Sequence, residues 1–545
     1  MYFFLKLRTA ILILLCIFLA SCSTLQSLPP DQQVKSHGLV VAAVISNTVA
    51  ISTLHAQLTG ITIKSSSDGT TYNLWVQKPQ FGSTQIFSGM IPQGNYKIIS
   101  MYAESPVGSS GFYGAANLLD SFTVEPGKIT NLQTIIYQPL GNREVTLIQA
   151  NKSIDLESYT RQNYPLLADL LLENGSHNVS FKSKFPLEKA GVGSATNQGL
   201  IATALIIASE SASKMKKQLQ WDKVHSNKDL VKLAKKSTLT LNNVFIDDDN
   251  NAYFGSKLGQ VLTRDSKGHW NYLDTGSIYE VLSVYKDSDG LYAGLEDGQI
   301  IVTRNKGLSW DSINTSTKLG PIVHISKTAS NQLLVVTREG GIPSNVINVY
   351  MVSKDNTVNQ IKSVNQSTNT LWTMQPSYFK NIHARTKNKL FIAKDASHIE
   401  VYDLPSNQWS TIESKDNFQL LKSNNNSNTL ILVDLMGLTR NHFISNDEGK
   451  SWSLVKAPHM SSNLHFSDKN NGYGVVINMG ILSSSTGIIK TVNGGKNWQE
   501  SKEMTENCVN MIVIDNTEEV LCSTPSGKIM STKDGNSWLI ERANY

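Results

Sequence analysis

His324, His383 and His465 recur in matching contexts, Val-His-Ile, Ile-His-Ala and Leu-His-Phe, each inside a short apolar run. Three imidazoles gathered round one axis could hold a metal ion or a ligand. Short apolar runs read as strands, however, and alternate residues of a strand face a neighbour, so packing between adjacent units is the expected role. Cys508 and Cys522 offer redox chemistry. They lie on or beside two short runs, 509–514 and 519–523, joined by Asp515-Asn516-Thr517-Glu518, which is a hairpin signal. In an oxidising compartment they could close a disulfide, and two reduced core thiols are the alternative, because hairpin register is not visible in a sequence. The chain has no His-Glu-x-x-His, no Gly-x-Ser-x-Gly and no phosphate-cradling glycine loop. No catalytic residue, metal or cofactor is expected.

The elements that must position these side chains come from an internal repeat. A Ser or Thr is followed by Asp or Asn two residues on, Gly four on and Trp seven on. Thr303, Asn305, Gly307 and Trp310 match fully, as do Ser445, Asp447, Gly449 and Trp452, and Thr491, Asn493, Gly495 and Trp498. Thr263, Asp265 and Trp270 match with the glycine displaced to Gly268, and Ser531, Gly535 and Trp538 match with Asp534 shifted by one. A hydroxyl and an Asx oxygen that accept backbone N–H groups fold a tight turn, and glycine takes the positive φ that it demands. The tryptophan is expected to pack back over the turn and give each repeat a small core of its own. Successive boxes start 40, 142, 46 and 40 residues apart. Dividing the long gap by three gives repeats of about 47 residues, with degenerate boxes at Ser353-Lys354-Asp355 and at Val401-Tyr402-Asp403 with Trp409.

This repeat resembles the Asp-box, or BNR repeat, of sialidase-type β-propellers, and the region is similar to the propellers of photosystem II assembly factors and sortilin-type receptors. The resemblance implies a seven-bladed propeller over 237–545 in which the box residues are structural. Six or eight blades are the alternatives, with Trp221-Asp222-Lys223-Val224 as a spare outer strand. Assembly factors and receptors of this kind bind proteins without catalysis. Sialidases instead clamp a carboxylate with three arginines beside a Tyr–Glu pair. The propeller here has Arg264, Arg304, Arg338, Arg385, Arg440 and Arg542, the first two inside boxes at the expected outer rim. The family's Arg-Ile-Pro motif has no counterpart, Gly341-Ile342-Pro343 being the nearest.

The N-terminus carries a different signal. Lys6 and Arg8 precede an apolar stretch, Ile11 to Leu19, which ends in Leu19-Ala20-Ser21-Cys22. A positive start, a short apolar run and small residues before a cut form a secretory signal, too short to span a bilayer. Leu19-Ala20-Ser21-Cys22 resembles the bacterial lipobox, which implies cleavage after residue 21 and fatty acylation of Cys22. Ser23 is similar to the residue that sends such lipoproteins to the outer membrane. Residues 22–36 read as a polar tether. From 37 to 150, short apolar runs alternate with turn residues, the pattern of a small β-sandwich. Pro92, Gly94 and Tyr96 resemble the Pro-x-Gly-x-Tyr motif of prealbumin-like domains. Residues 151–236 read as a helical basic connector, with a helix beginning near Pro165, a second over 199–220, and eight lysines between Lys214 and Lys236. That basic stretch is expected to be a solvated helix face.

The whole chain has a net charge of +5, too small and too dispersed for a nucleic-acid footprint. The expectation is therefore a mainly β chain: a lipid-anchored envelope protein, periplasmic or at the cell surface, whose propeller serves as a protein-binding scaffold or assembly factor. The alternative is a glycan or cell-wall polymer binder, with a sialidase-like glycosidase as its enzymatic extreme.

Overall fold

A computed structural model describes residues 30–47, 60–77, 82–104, 110–114, 119–141, 144–150, 152 and 154–181, and, apart from short internal stretches, 221–543. The signal sequence expected to end at Cys22 and the helix expected over 199–220 lie outside the described residues.

Residues 244–543 form seven four-stranded antiparallel sheets, each built from one continuous segment with its strands in sequence order. The innermost strands are Val244–Ile246, Val281–Lys286, Ile322–Lys327, His383–Arg385, Leu420–Ser423, Ser461–Phe466 and Asn510–Ile514. This is a seven-bladed β-propeller. Trp221–Lys223 is a 3₁₀ turn rather than a spare strand, and it buries Trp221 outside the blades.

The boxes sit between the third and outermost strands. In three of them the bonding is the same. The hydroxyl of Thr303, Ser445 or Thr491 accepts from the glycine N–H four residues on, at 2.8, 2.8 and 3.0 Å. It also donates to the Asx oxygen two residues on, and that oxygen accepts from the backbone N–H of Ser309, Ser451 or Asn497. The first box is carried by Asp265, whose Oδ1 accepts from the N–H groups of Lys267 and His269, while Thr263 stays in the strand opposite Tyr253 and Asn271. In the last box the hydroxyl is that of Thr532, not Ser531. Thr532 donates to Asp534 and accepts from Gly535 N–H, so the turn is one residue tighter. At the degenerate boxes Asp355 accepts from Thr357 N–H and Asp403 from Ser406 N–H.

The tryptophans do not give each blade a core of its own. Each packs into the junction with the preceding blade: Trp310 with Val261 and Val281, Trp452 with Phe391 and Leu430, Trp498 with Val433 and Phe466, and Trp538 with Tyr473 and Val520. A four-stranded sheet is too narrow to enclose anything, so both apolar faces must be covered by neighbouring blades. Ion pairs then tie junctions together: Lys327 to Asp287 and Asp289 between blades 2 and 3, Lys362 to Glu400 between 3 and 4, and Lys389 to Glu448 between 4 and 5.

Gly449 shows how turn and junction depend on each other. Its φ is +86°, and a Cβ there would lie 2.9 Å from Ile412 Cδ1 in the preceding blade. Gly449→Ala is expected to cost about 2 kcal/mol in urea unfolding, from backbone strain and overpacking together. Ser445→Ala, which removes only the hydroxyl's bonds, is expected to cost about 1 kcal/mol.

The N-terminal domain is one ten-stranded sheet whose halves face each other across a shared core, a β-sandwich. Its central strand, His37–Ser46, pairs antiparallel with Thr84–Pro92 and parallel with Ile129–Gly141. Period-2 alternation sends Val40, Ala42 and Val44 into the sandwich core, while Leu39, Val41 and Ala43 meet two helices, Leu156–Asn163 and Ala168–Glu173. Asp155 caps the first of these through Ser158 N–H. Tyr96 Oη donates to Pro92 O at 2.8 Å and locks the Pro92–Tyr96 turn. Ser176–Asn178 adds a further strand, parallel to Ile129–Asn131, so residues beyond 150 belong to this sheet.

Candidate functional site: the propeller and the platform that holds it

The sandwich and the propeller share a buried interface. The helix Asn227–Lys236 is its mortar, begun by Ser226, whose Oγ accepts from Asp229 N–H. Leu230 and Ala234 pack with Ile45, Ile136 and Ile148 of the sandwich, with Trp221, and with Leu258 and Ile278 of the propeller. The basic helix is therefore not a uniformly solvated face. Lys235 is buried and pairs with Asp274 at 2.7 Å. Lys257 Nζ donates to Ser46 O at 2.8 Å, the Lys152 ammonium lies 3.9 Å from the Tyr279 ring, and Lys318 pairs with Asp155 at 3.1 Å.

A carboxylate from blade 2 closes this interface. Glu296 follows the strand Leu291–Leu295 and enters the start of the sandwich strand Thr84–Pro92. It accepts from Ser83 N–H at 2.7 Å, from Thr84 N–H at 3.2 Å and from the Thr84 hydroxyl. Burial and the neighbouring Glu280 push its carboxyl up to about 7, against the pull of those donors. Nothing in the sequence marked Glu296, because its partners lie over 200 residues away.

Near the propeller axis the structure sorts the predicted histidines and arginines. His324 and His383, on the inner strands of blades 3 and 4, meet edge to face with ring centroids 5.5 Å apart. His324 shares a 3.1 Å hydrogen bond with Ser326 Oγ. His465 is on the inner strand of blade 6, and the three do not form one group. Burial holds the His324 imidazole well below its ordinary value, helped by His383 and Arg385, and lowers His383 to about 4, helped by Arg338. Among the described residues no three His, Cys, Asp or Glu side chains form a metal-binding group.

Arg338 is 2% exposed. It continues the face of Leu334 and Val336, which pack against Leu390 and Ile392 of blade 4. Arg385 follows His383 by two residues and so shares its face. Arg264 is not at an open rim. It is 4% exposed and joins the last blade through Glu541 and Glu519. Arg304 does lie on the surface, 3.2 Å from Asp311, and Arg542 stacks 3.6 Å from the Tyr272 ring.

Cys508 and Cys522 are joined by a disulfide, with Cα atoms 5.4 Å apart. Cys522 lies opposite Met511, and Cys508 lies just before that strand, its N–H donating to Thr486 Oγ1. Among the described residues, the large exposed apolar side chains of the propeller are dispersed over box turns (Leu308, Val492) and outer strands (Leu454, Leu539, Ile540). No helix among the described residues is long and apolar enough to cross a membrane.

No protein-family model and no curated protein matches the chain. Solved propellers are similar to it in part. A structure of YCF48 bound to a D1 peptide aligns over 53% of this chain and 89% of its own, at 13% identity and TM-score 0.37. YCF48 from Cyanidioschyzon merolae aligns over 53% and 91%, at 13% identity and TM-score 0.35. The GH74 xyloglucanase from Xanthomonas campestris aligns over 56% and 54%, at 10% identity and TM-score 0.39. One binds a peptide and another is a glycosidase, so these likenesses assign no activity to this chain.

Proposed function

We propose that this chain is a cell-envelope lipoprotein, anchored through acylated Cys22, whose propeller is a non-catalytic docking scaffold for another envelope protein. The observation that carries the reading is the buried sandwich–propeller interface. Glu296, Trp221 and the helix Asn227–Lys236 fix the propeller's orientation on the sandwich. A free-standing enzyme needs no such fixed presentation, whereas a scaffold does. The use of several buried carboxylates supports the same reading. Glu296 holds the sandwich, Glu519 and Glu541 hold Arg264, Glu448 holds Thr386 and Lys389, and Glu400 holds Lys362. Carboxylates locked in structural pairs are poorly placed to serve as an acid and nucleophile about 5 Å apart.

Two experiments test this. Cys22→Ala should abolish labelling by radioactive palmitate and release the protein from the membrane fraction; retained labelling would overturn the anchor. Cross-linking in cells followed by capture of the natively lipidated protein should then yield one stoichiometric envelope protein, lost on deletion of 237–545. Recovery of polysaccharide or peptidoglycan fragments in its place would replace the scaffold by a sugar-binding role.

A further inference from the structure

The disulfide of blade 7 is covered from the side of blade 6. Cys508 is 5% exposed and Cys522 0%. They share one apolar cluster with Val513, Val520 and Met530 of blade 7 and with Tyr473, Val475 and Ile488 of blade 6. The Cys508 N–H also donates to Thr486 Oγ1 of blade 6, at 2.8 Å. Making or breaking a disulfide by exchange requires a thiolate to reach one of its sulfurs. That access is closed while blades 6 and 7 are docked. The bond spans 14 positions and ties the inner hairpin of blade 7 at the end remote from its turn, where Cys522 lies opposite Met511. A two-stranded hairpin without neighbours is marginal in water, so this cross-link matters most before docking. Among the described residues blade 7 borrows no strand from blade 1, and no shared ladder backs the bond.

We propose that Cys508–Cys522 is a redox clasp that decides whether blade 7 closes the ring. Oxidation takes place on the undocked hairpin. The two thiols give up two protons and two electrons and one S–S bond forms between them, while the disulfide of a small thiol or of an oxidoreductase is reduced to two thiols. Docking against blade 6 then buries the product and protects it from reductant. In a reducing compartment the hairpin stays unlinked and blade 7 opens from the ring, so the closed propeller belongs to an oxidising compartment. The clasp needs neither the lipid anchor nor a docking partner.

Reduction of the folded full-length chain by dithiothreitol at neutral pH, followed by alkylation and mass spectrometry of the 503–528 peptide, tests the seal. The bond should be lost at least about tenfold more slowly than in the same chain unfolded in guanidinium chloride. Thr486→Val, which removes the blade 6 acceptor of the Cys508 N–H, should speed the loss. Limited trypsin treatment tests the clasp itself. The double variant Cys508→Ala, Cys522→Ala should be cut after Lys528 and Lys533 about tenfold faster than the parent, with blades 1–6 left intact. Reduction as fast in the folded chain as in the unfolded one, or an unchanged rate in Thr486→Val, would overturn the seal. Cleavage of the double variant no faster than the parent, or spread over all seven blades, would overturn the clasp.

Discussion

Arg264→Ala should destabilise the propeller by about 3–5 kcal/mol, more than any single box-turn substitution. The seven blades form a ring in which every blade comes from one stretch of chain, so no strand from one end of the propeller completes a blade at the other. Side chains hold the seam between blade 7 and blade 1. Phe254 and Leu262 pack there with Ile514, Leu521 and Ile529, and Trp270 stacks on Phe254. Across the same seam Arg264 reaches Glu541 through Nε at 2.8 Å and Nη2 at 2.6 Å, and Glu519 at 2.9 Å. Glu541 also accepts from the Trp270 indole at 2.7 Å. Removing the guanidinium leaves two nearly buried carboxylates facing each other with no cation between them. Arg264→Lys should recover part of the loss, since an ammonium cannot serve both glutamates in the same fork. Replacing Arg264, Glu519 and Glu541 together by Met and Leu should recover most of it, because no charge is then stranded. Urea midpoints of the four proteins decide the matter, and a loss below about 1 kcal/mol for Arg264→Ala would mean that the apolar seam suffices. Acid should act like the mutation. Burial raises the Glu541 carboxyl, but Arg264 and Trp270 outweigh it and hold it below the usual range. A depressed native value contributes stability above about pH 4.5 that is lost as pH falls through it.

Docking of the sandwich on the propeller should weaken as pH rises from about 4.5 to 7, and Glu296→Gln should remove that dependence. The Glu296 carboxyl is raised from 4.5 to about 7 by burial and by Glu280. The docked protein therefore holds a proton that the undocked chain releases between these values. Its contribution is full below pH 4.5, declines through pH 7 and is then constant, a span on the order of 3 kcal/mol. The other charges near this carboxyl are Lys152, which favours its ionised form and limits the span, and Asp297. Glu296→Gln keeps the shape and lacks the titration, so its thermal midpoint should be flat between pH 5.5 and 8 where the parent's falls by several degrees. Glu296→Ala strands the donors of Ser83 and Thr84 and should cost about 2–4 kcal/mol at any pH. Gly82→Ala should mimic it, because φ is +124° there and a Cβ would overlap the Glu296 carboxylate. Equal pH slopes for parent and Glu296→Gln would assign the titration to another group.

What could be read from the sequence is what is local. A box turn is closed within seven residues by its own hydroxyl, Asx oxygen and glycine, so its spacing alone announced the repeat. The spacing between boxes counted the blades even where Asp355 and Asp403 stand without the full motif. The sandwich strands were legible for the same reason: alternation along His37–Ser46 is a property of the strand itself. The geometry of the junctions was not local. That the tryptophans bind blade to blade, that Arg264 closes the ring with a residue 277 positions away, and that Glu296 holds Thr84 from 212 positions away are facts of assembly. So is the meeting of His324 with His383, which depends on how two apolar sheets stack. A motif encodes a turn because its bonds are short in sequence. A site made where blades or domains meet is encoded only by the packing that brings distant strands together, and tertiary structure alone decided which of the charged side chains became a latch or a seam.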